Sequence, residues 1–314
     1  MAMFSPIEYE MLQTNPSAAP SGPSQAVLQT REQERPRKET CVALSQPRLM
    51  ILNIYGAYGR RLGGWIAVAA LVELLGELGI DERAVRAAVS RMKRREILVS
   101  KRRDRRFGYT LTGQAEAILD EGDRRLFARR EPAVLDDGWV VVVFSVPESE
   151  RRKRHVLRSR LAWEGFGNVS AGVWIAPWRL AEEARTLLVQ LGLDGYVDLF
   201  HSHHEGFGAT AEKVGRWWDL GRLGAEYARF IEEQSSVLER WRMHGGDDRV
   251  AFVDYLSAVA AWQRFPYLDP GLPAELLPTT WEGQRAAQVF FELGEMLADR
   301  GERHTAAVLR GHDV

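Results

Sequence analysis

The chain has 314 residues, 45% hydrophobic and 27% charged, with a formal net charge of −1 and a single cysteine, Cys41. That length supports two or three domains of roughly 100–150 residues each, and the composition is that of a globular protein able to build sizeable cores. One cysteine excludes a disulfide framework within the chain and fits a reducing cytoplasm, and the longest apolar run, residues 65–72, falls far short of the ~18 residues a membrane span needs.

Charge is unevenly distributed. Between residues 46 and 112 there are 14 Lys and Arg against 6 Asp and Glu; between 246 and 314 there are 6 against 11. A basic front and an acidic back point to an anionic partner at one end only.

Residues 1–45 are rich in Ser, Pro, Gln, Ala and charge. They have no secretory layout and too little apolar surface to offset ordering entropy, so they read as a disordered arm. From residue 46 the apolar spacing becomes helical. A first helix ends by Gly63-Gly64, and residues 69–78 form a second. Gly79 supplies the turn, and Asp81 caps a third helix over 82–95. A strand at 97–100, a charged tip at 101–106 and a returning strand at 107–111 follow. Thr112 caps a fourth helix.

After Pro132 a β-branched run, 138–145, predicts a buried strand. A basic helix over 148–163, a strand over 169–175, a helix over 179–191 and a strand over 196–201 complete a ferredoxin-like α+β unit. From residue 210 the pattern is helical: 211–218, 223–243, 250–264 and 281–299. A turn-rich stretch with four prolines, 265–280, interrupts it. The predicted organisation is therefore an arm (1–45), a winged helix-turn-helix domain (46–131), a ferredoxin-like central domain (132–209) and a helical C-terminal domain (210–314).

The third helix carries the most chemistry. Val85, Ala88, Val89 and Met92 share one face. Arg83, Ala87, Ser90 and Arg94 share the opposite one, flanked by Arg86 and Arg91. Small residues permit close approach to a polyanion, and guanidinium forks match guanine edges and phosphates. Lys101, Arg102, Arg103, Arg105 and Arg106 place cations around the hairpin tip, where sequence-blind, salt-dependent affinity is expected. The predicted DNA-contacting set is thus Arg83, Arg86, Ser90, Arg91, Arg94, Lys101, Arg102, Arg103, Arg105 and Arg106.

No Gly-rich phosphate loop, Gly-x-Ser-x-Gly, His-Glu-x-x-His or cysteine nucleophile is present, so no catalytic residue is assigned. His201, His203 and His204 diverge at a strand end without zinc spacing, so no metal is expected.

Three stretches in order carry a family resemblance: PRLMILNIYGAYGRRLGGWIAVAALVELLGELGIDERAVRAAVSRMKRREIL at the front, WVVVVFSVPESERRKRHVLRSRLAWEGFGNVSAGVWIAPW in the middle, and RFPYLDPGLPAELLPTTWEGQRA near the end. The sequence resembles the PaaX-like family of phenylacetic-acid-degradation repressors over roughly residues 46–301. The resemblance implies a winged helix, a Cas2-like central domain and a helical C-terminal domain. It also implies a homodimer that represses a catabolic operon and is released by an aryl-acyl coenzyme A thioester, with no cofactor. Arg154, Arg158, Trp163, Phe166, Trp174 and Arg264 are the candidate effector contacts; a solvated helix face and plain core packing are the competing readings of these residues. A metal-dependent nuclease and a non-enzymatic adaptor are the alternative functions. The expected central strand, 139–145, contains no carboxylate, which counts against the nuclease.

Overall fold

A computed structural model describes residues 46–103, 106–129 and 131–313. The predicted arm, residues 1–45, lies outside them. The chain forms two compact units. One takes in residues up to Ala117 together with Asp248–Ala261 and the chain from Arg300; the other takes in Ile118–Asp247 and Trp262–Asp299.

In the first unit, α1 (Pro47–Ile54) runs into a π-turn (Tyr55–Gly59) and is followed by β1 (Ile66–Ala67), α2 (Val68–Glu77), α3 (Glu82–Arg94) and the hairpin β2 (Leu98–Arg103) and β3 (Arg106–Leu111). The antiparallel sheet has the order β1-β3-β2. Proline at the start of α1 costs nothing, because its missing N–H would be an orphan there anyway. The helices bury Ile51, Ile54, Leu71, Leu74, Val85 and Met92 as one apolar set. Tyr55 is fully buried, and its hydroxyl donates to the Tyr109 carbonyl at 2.7 Å, tying the π-turn to β3. Burial pushes that phenol well above its ordinary range.

This unit also contains α9 (Asp248–Trp262) up to Ala261 and the final part of α11 (Gly283–Asp313). Arg303 forks onto Asp248 with two 2.9 Å bonds. His304 meets Glu77 of α2 at 2.7 Å, and His312 meets Glu73 at 2.7 Å. Tyr58 packs between Phe252 and Tyr255, with ring centroids 6.0 and 6.1 Å away. The contacts therefore group two pieces of the expected helical C-terminal segment, Asp248–Ala261 and the chain from Arg300, with the N-terminal helices.

In the second unit, α4 (Gly113–Leu126) leads into β4 (Trp139–Phe144), α5 (Arg151–Trp163), β5 (Gly167–Ser170), β6 (Val173–Pro177), α6 (Ala181–Gln190) and β7 (Val197–Ser202). Ile118 onward belongs to this unit. The sheet order β5-β6-β4-β7, antiparallel throughout, is the ferredoxin-like arrangement. The single strand expected over 169–175 is instead a hairpin, β5–β6. Gly172 makes the turn: a Cβ there would lie 2.8 Å from the Phe144 carbonyl oxygen.

One sheet face packs Val140, Val142 and Phe144 against Leu157, Leu161 and Ala184 of α5 and α6. The other packs Trp139 and Ile175 against Val214 of α7 (Thr210–Trp217) and against Trp218, Leu220 and Leu272. The long α8 (Leu220–His244), the short α10 (Phe265–Leu268) and the first part of α11 complete the unit. Tyr227 stacks on Phe265 at 4.3 Å and Trp262 stacks on Phe290 at 4.9 Å. The helix expected over 281–299 is longer, running from Gly283 to Asp313. No described helix is long and apolar enough to cross a membrane.

Candidate nucleic-acid interface

The site is built around α3. Gly79, at φ +77°, turns the chain after α2, and its N–H donates to Gly76 O at 2.9 Å. The Asp81 carboxylate then accepts from the Arg83 and Ala84 N–H groups at 2.8 and 3.3 Å, fixing where the helix starts. Val85, Ala88, Val89 and Met92 are buried. Arg83, Arg86, Ala87, Ser90, Arg91 and Arg94 are all exposed. The core thus rotates the helix so that its cationic face looks outward. Arg91, Lys93 and Arg94 occupy the last turn, where they complement the helix dipole.

Arg86 meets Glu82 at 2.7 Å, with both side chains more than half exposed. Such a pair is weak and can be exchanged for a stronger anion. At the other end of α3, Arg48 of α1 is held below its ordinary value, to about 10, first by burial and then by the Arg95 and Arg91 charges. It stays charged at neutral pH, so α1 adds a cation to the same end of α3. The sequence pattern did not single out Arg48, which sits within the apolar run of α1.

The hairpin extends further than expected. Lys101 pairs with Gly108, Arg102 with Phe107 and Arg103 with Arg106 across the ladder. Lys101, Arg102 and Arg103 are therefore strand residues, and only 104–105 lie between the strands. Arg105 lies outside the described residues. Lys101, Arg102 and Arg103 are exposed. The Arg106 guanidinium donates to the His312 carbonyl near the end of α11. Trp65 braces the hairpin: its Nε1 donates to Lys101 O at 2.9 Å, and Arg103 lies over its ring at 5.5 Å. Gly108 makes room for it, since a Cβ there would fall 2.5 Å from Trp65 Cζ2 and 2.6 Å from Ile66 O. A rigid cationic helix beside a braced cationic hairpin can engage a polyanion along two lines.

The candidate effector residues are all in the second unit. Phe166 and Trp174 belong to the core beneath α5 and α6. Trp163 lies 5.0 Å from Tyr267. Arg154 donates to Val146 O at 2.7 Å and meets Glu148 at 3.1 Å, and Arg158 is exposed. Arg264 meets Glu226 at 3.2 Å.

The three histidines have separate partners. His201 stacks on Trp178 at 3.8 Å and donates to Asp137 O at 2.7 Å. His203 lies 5.8 Å from His201, and His204 meets Thr210 Oγ1 at 3.2 Å. Among the described residues no cluster of three or more His, Cys, Asp or Glu is placed to share a metal ion.

Known proteins match this chain along most of its length. Residues 46–115 match the model of the PaaX-like protein, 132–214 the PaaX protein central Cas2-like domain, and 218–307 the PaaX-like protein C-terminal domain. Transcriptional repressor PaaX of Escherichia coli (strain K12) is 26% identical over 258 residues, 79% of either chain. The solved structure of uncharacterized protein Rv0674 from Mycobacterium tuberculosis aligns with a TM-score of 0.54 at 24% identity, covering 83% of this chain and 99% of that one. That structure shares the fold. With three parts of one family matched in order from residue 46 to residue 307, the chain belongs to the PaaX-like family.

Proposed function

We propose that this protein is a DNA-binding transcriptional repressor, with α1–α3 and the β2–β3 hairpin acting as a winged helix-turn-helix. In this reading α3 enters the major groove, about 12 Å wide, and presents Arg83, Arg86, Ser90, Arg91 and Arg94 to base edges and phosphates. Lys101, Arg102, Arg103, Arg105 and Arg106 run along the backbone. The observation that carries the reading is the one-sided arginine face of α3, capped by Asp81 and set outward by a buried apolar face. Family membership and the similarity to a transcriptional repressor support it. Two copies would meet a palindrome with half-sites ~10 base pairs, or a multiple of that, apart.

By family resemblance the regulated genes serve aromatic-acid catabolism in the cytoplasm, and the releasing effector is an aryl-acyl coenzyme A rather than a resident cofactor. The protein acts by binding and not as an enzyme. The test is fluorescence anisotropy on DNA from the protein's own promoter, alone, with phenylacetyl coenzyme A and with free coenzyme A. Tight binding released only by the thioester is expected. Binding no tighter than to random duplex overturns the repressor reading, and a stoichiometric monomer on DNA overturns the palindrome.

A further inference from the structure

Phe107 is the feature that the cationic reading leaves unexplained. Alternation along the hairpin puts Leu98 and Leu111, then Ser100 and Tyr109, then Arg102 and Phe107 on one face of the ladder. The first rung is buried in the core. The last projects beyond it, leaving Phe107 65% exposed. The Arg102 guanidinium lies 5.7 Å from the ring centroid. Lys101, Arg103 and Arg106 occupy the neighbouring rungs and are exposed as well. A large aromatic at the outer end of a cationic hairpin is poorly served by water. An apolar side chain carried to DNA by flanking cations has a natural counterpart in the deoxyribose rings and base edges of the minor groove, where such side chains wedge between base steps.

We propose that Phe107 is an apolar wedge of the hairpin, seated in the DNA minor groove while Lys101, Arg102 and Arg103 hold the phosphates on either side. The inference rests on the DNA-binding reading above and adds a contact that is not electrostatic. The two kinds of contact separate by their salt dependence. Loss of a phosphate contact lowers the slope of log K against log salt by about 0.9, whereas loss of a wedge leaves the slope intact. The bracing of the hairpin by Trp65 and Tyr55 does not involve the Phe107 ring, so removing the ring should leave the fold in place.

The experiment uses the full chain and a duplex that the wild-type protein selects from a randomised library. Affinity is measured across a salt series, and DNA bending by energy transfer between end labels, for wild type, Phe107→Ala, Phe107→Leu and Arg102→Gln. The expected loss for Phe107→Ala is roughly ten-fold or more, by analogy with aromatic contacts to bases, with unchanged slope and reduced bending. Phe107→Leu, which keeps apolar bulk but not the aromatic ring, should retain most of the affinity. Arg102→Gln should lower the slope.

If Phe107→Ala binds and bends DNA like wild type, the wedge is overturned while the DNA-binding reading stands. A loss that comes with a lower slope also overturns it, because the ring would then act by positioning Arg102. If wild type selects no duplex, both readings fall together.

Discussion

Gly301 offers a test in which local propensity and packing predict opposite signs. It lies inside α11, where replacing glycine by alanine should gain about 1 kcal/mol from helix propensity alone. A Cβ at this position, however, would overlap the Tyr58 hydroxyl, approach Tyr58 Cζ to 2.8 Å and sit 3.2 Å from the Phe252 Cα. Tyr58 is fully buried between Phe252 and Tyr255, so its rigid ring has nowhere to turn. Overpacking of this kind costs about 1–3 kcal/mol, and two contacts with rigid groups place it near the top of that range. The net expectation for Gly301→Ala is a loss of about 2 kcal/mol. That corresponds to a fall of roughly 8 °C in melting temperature for a unit of about 100 residues.

Tyr58→Phe removes the overlapping oxygen. Its hydroxyl has no hydrogen-bond partner among the described residues, so the single substitution should be neutral or stabilising by about 1 kcal/mol. The double variant should recover most of the loss. Thermal denaturation of the four proteins closes a double-mutant cycle. A higher melting temperature for Gly301→Ala, or strictly additive effects, would refute the packing of α11 against the π-turn that follows α1. Because the same π-turn carries Tyr55, which is bonded to β3, the Gly301→Ala protein should also bind DNA more weakly than the double variant.

Three further outcomes follow from the same unit. Asp248 is held below the ordinary carboxyl range, chiefly by its bond from Arg303; its stabilisation is present above the unfolded pKa and is lost as pH falls through the folded one. Melting temperature should therefore drop in that acidic window for wild type, and Asp248→Asn should be weakened already at neutral pH with a shallower acid dependence. Gly108→Ala should cost about 1–3 kcal/mol by driving Trp65 off β3, and should reduce DNA affinity by misplacing the hairpin; an unchanged melt would show that Trp65 does not lie there. Glu96 holds a φ of +54° at the turn from α3 into β2, so Glu96→Gly should gain up to about 1 kcal/mol in chemical denaturation, and a loss would mean the Glu96 side chain has a role of its own.

The sequence was most informative where one element explains itself. The period of Val85, Ala88, Val89 and Met92, with Asp81 in front, defines α3 and its exposed arginines without any distant partner. The central strand was legible as a β-branched run for the same reason. The hairpin length was not, because Lys101-Arg102-Arg103 has no apolar alternation to mark it as strand, and its pairing with Arg106-Phe107-Gly108 is set by the ladder. The β5–β6 turn was hidden in Ser170-Ala171-Gly172, a weak local signal whose meaning comes from the Phe144 carbonyl above Gly172. Arg48 and Trp65 were missed because each gains its place from a neighbour remote in sequence, and Phe107 because its exposure depends on the ladder that sets it opposite Arg102. The same holds for His304 and His312: nothing local says that their partners are Glu77 and Glu73, more than two hundred residues earlier.

DNA reading by α3 carries the proposed function. Its most direct test is the salt dependence of binding to a wild-type-selected duplex for the full chain and for Arg83→Gln, Ser90→Ala and Arg94→Gln, with wild-type-like melting as the control for folding. Weaker binding is expected for each variant, with relaxed sequence preference where a base contact is lost and a slope lower by about 0.9 for each phosphate contact removed. Variants that melt, bind and select sequence as wild type does would contradict it.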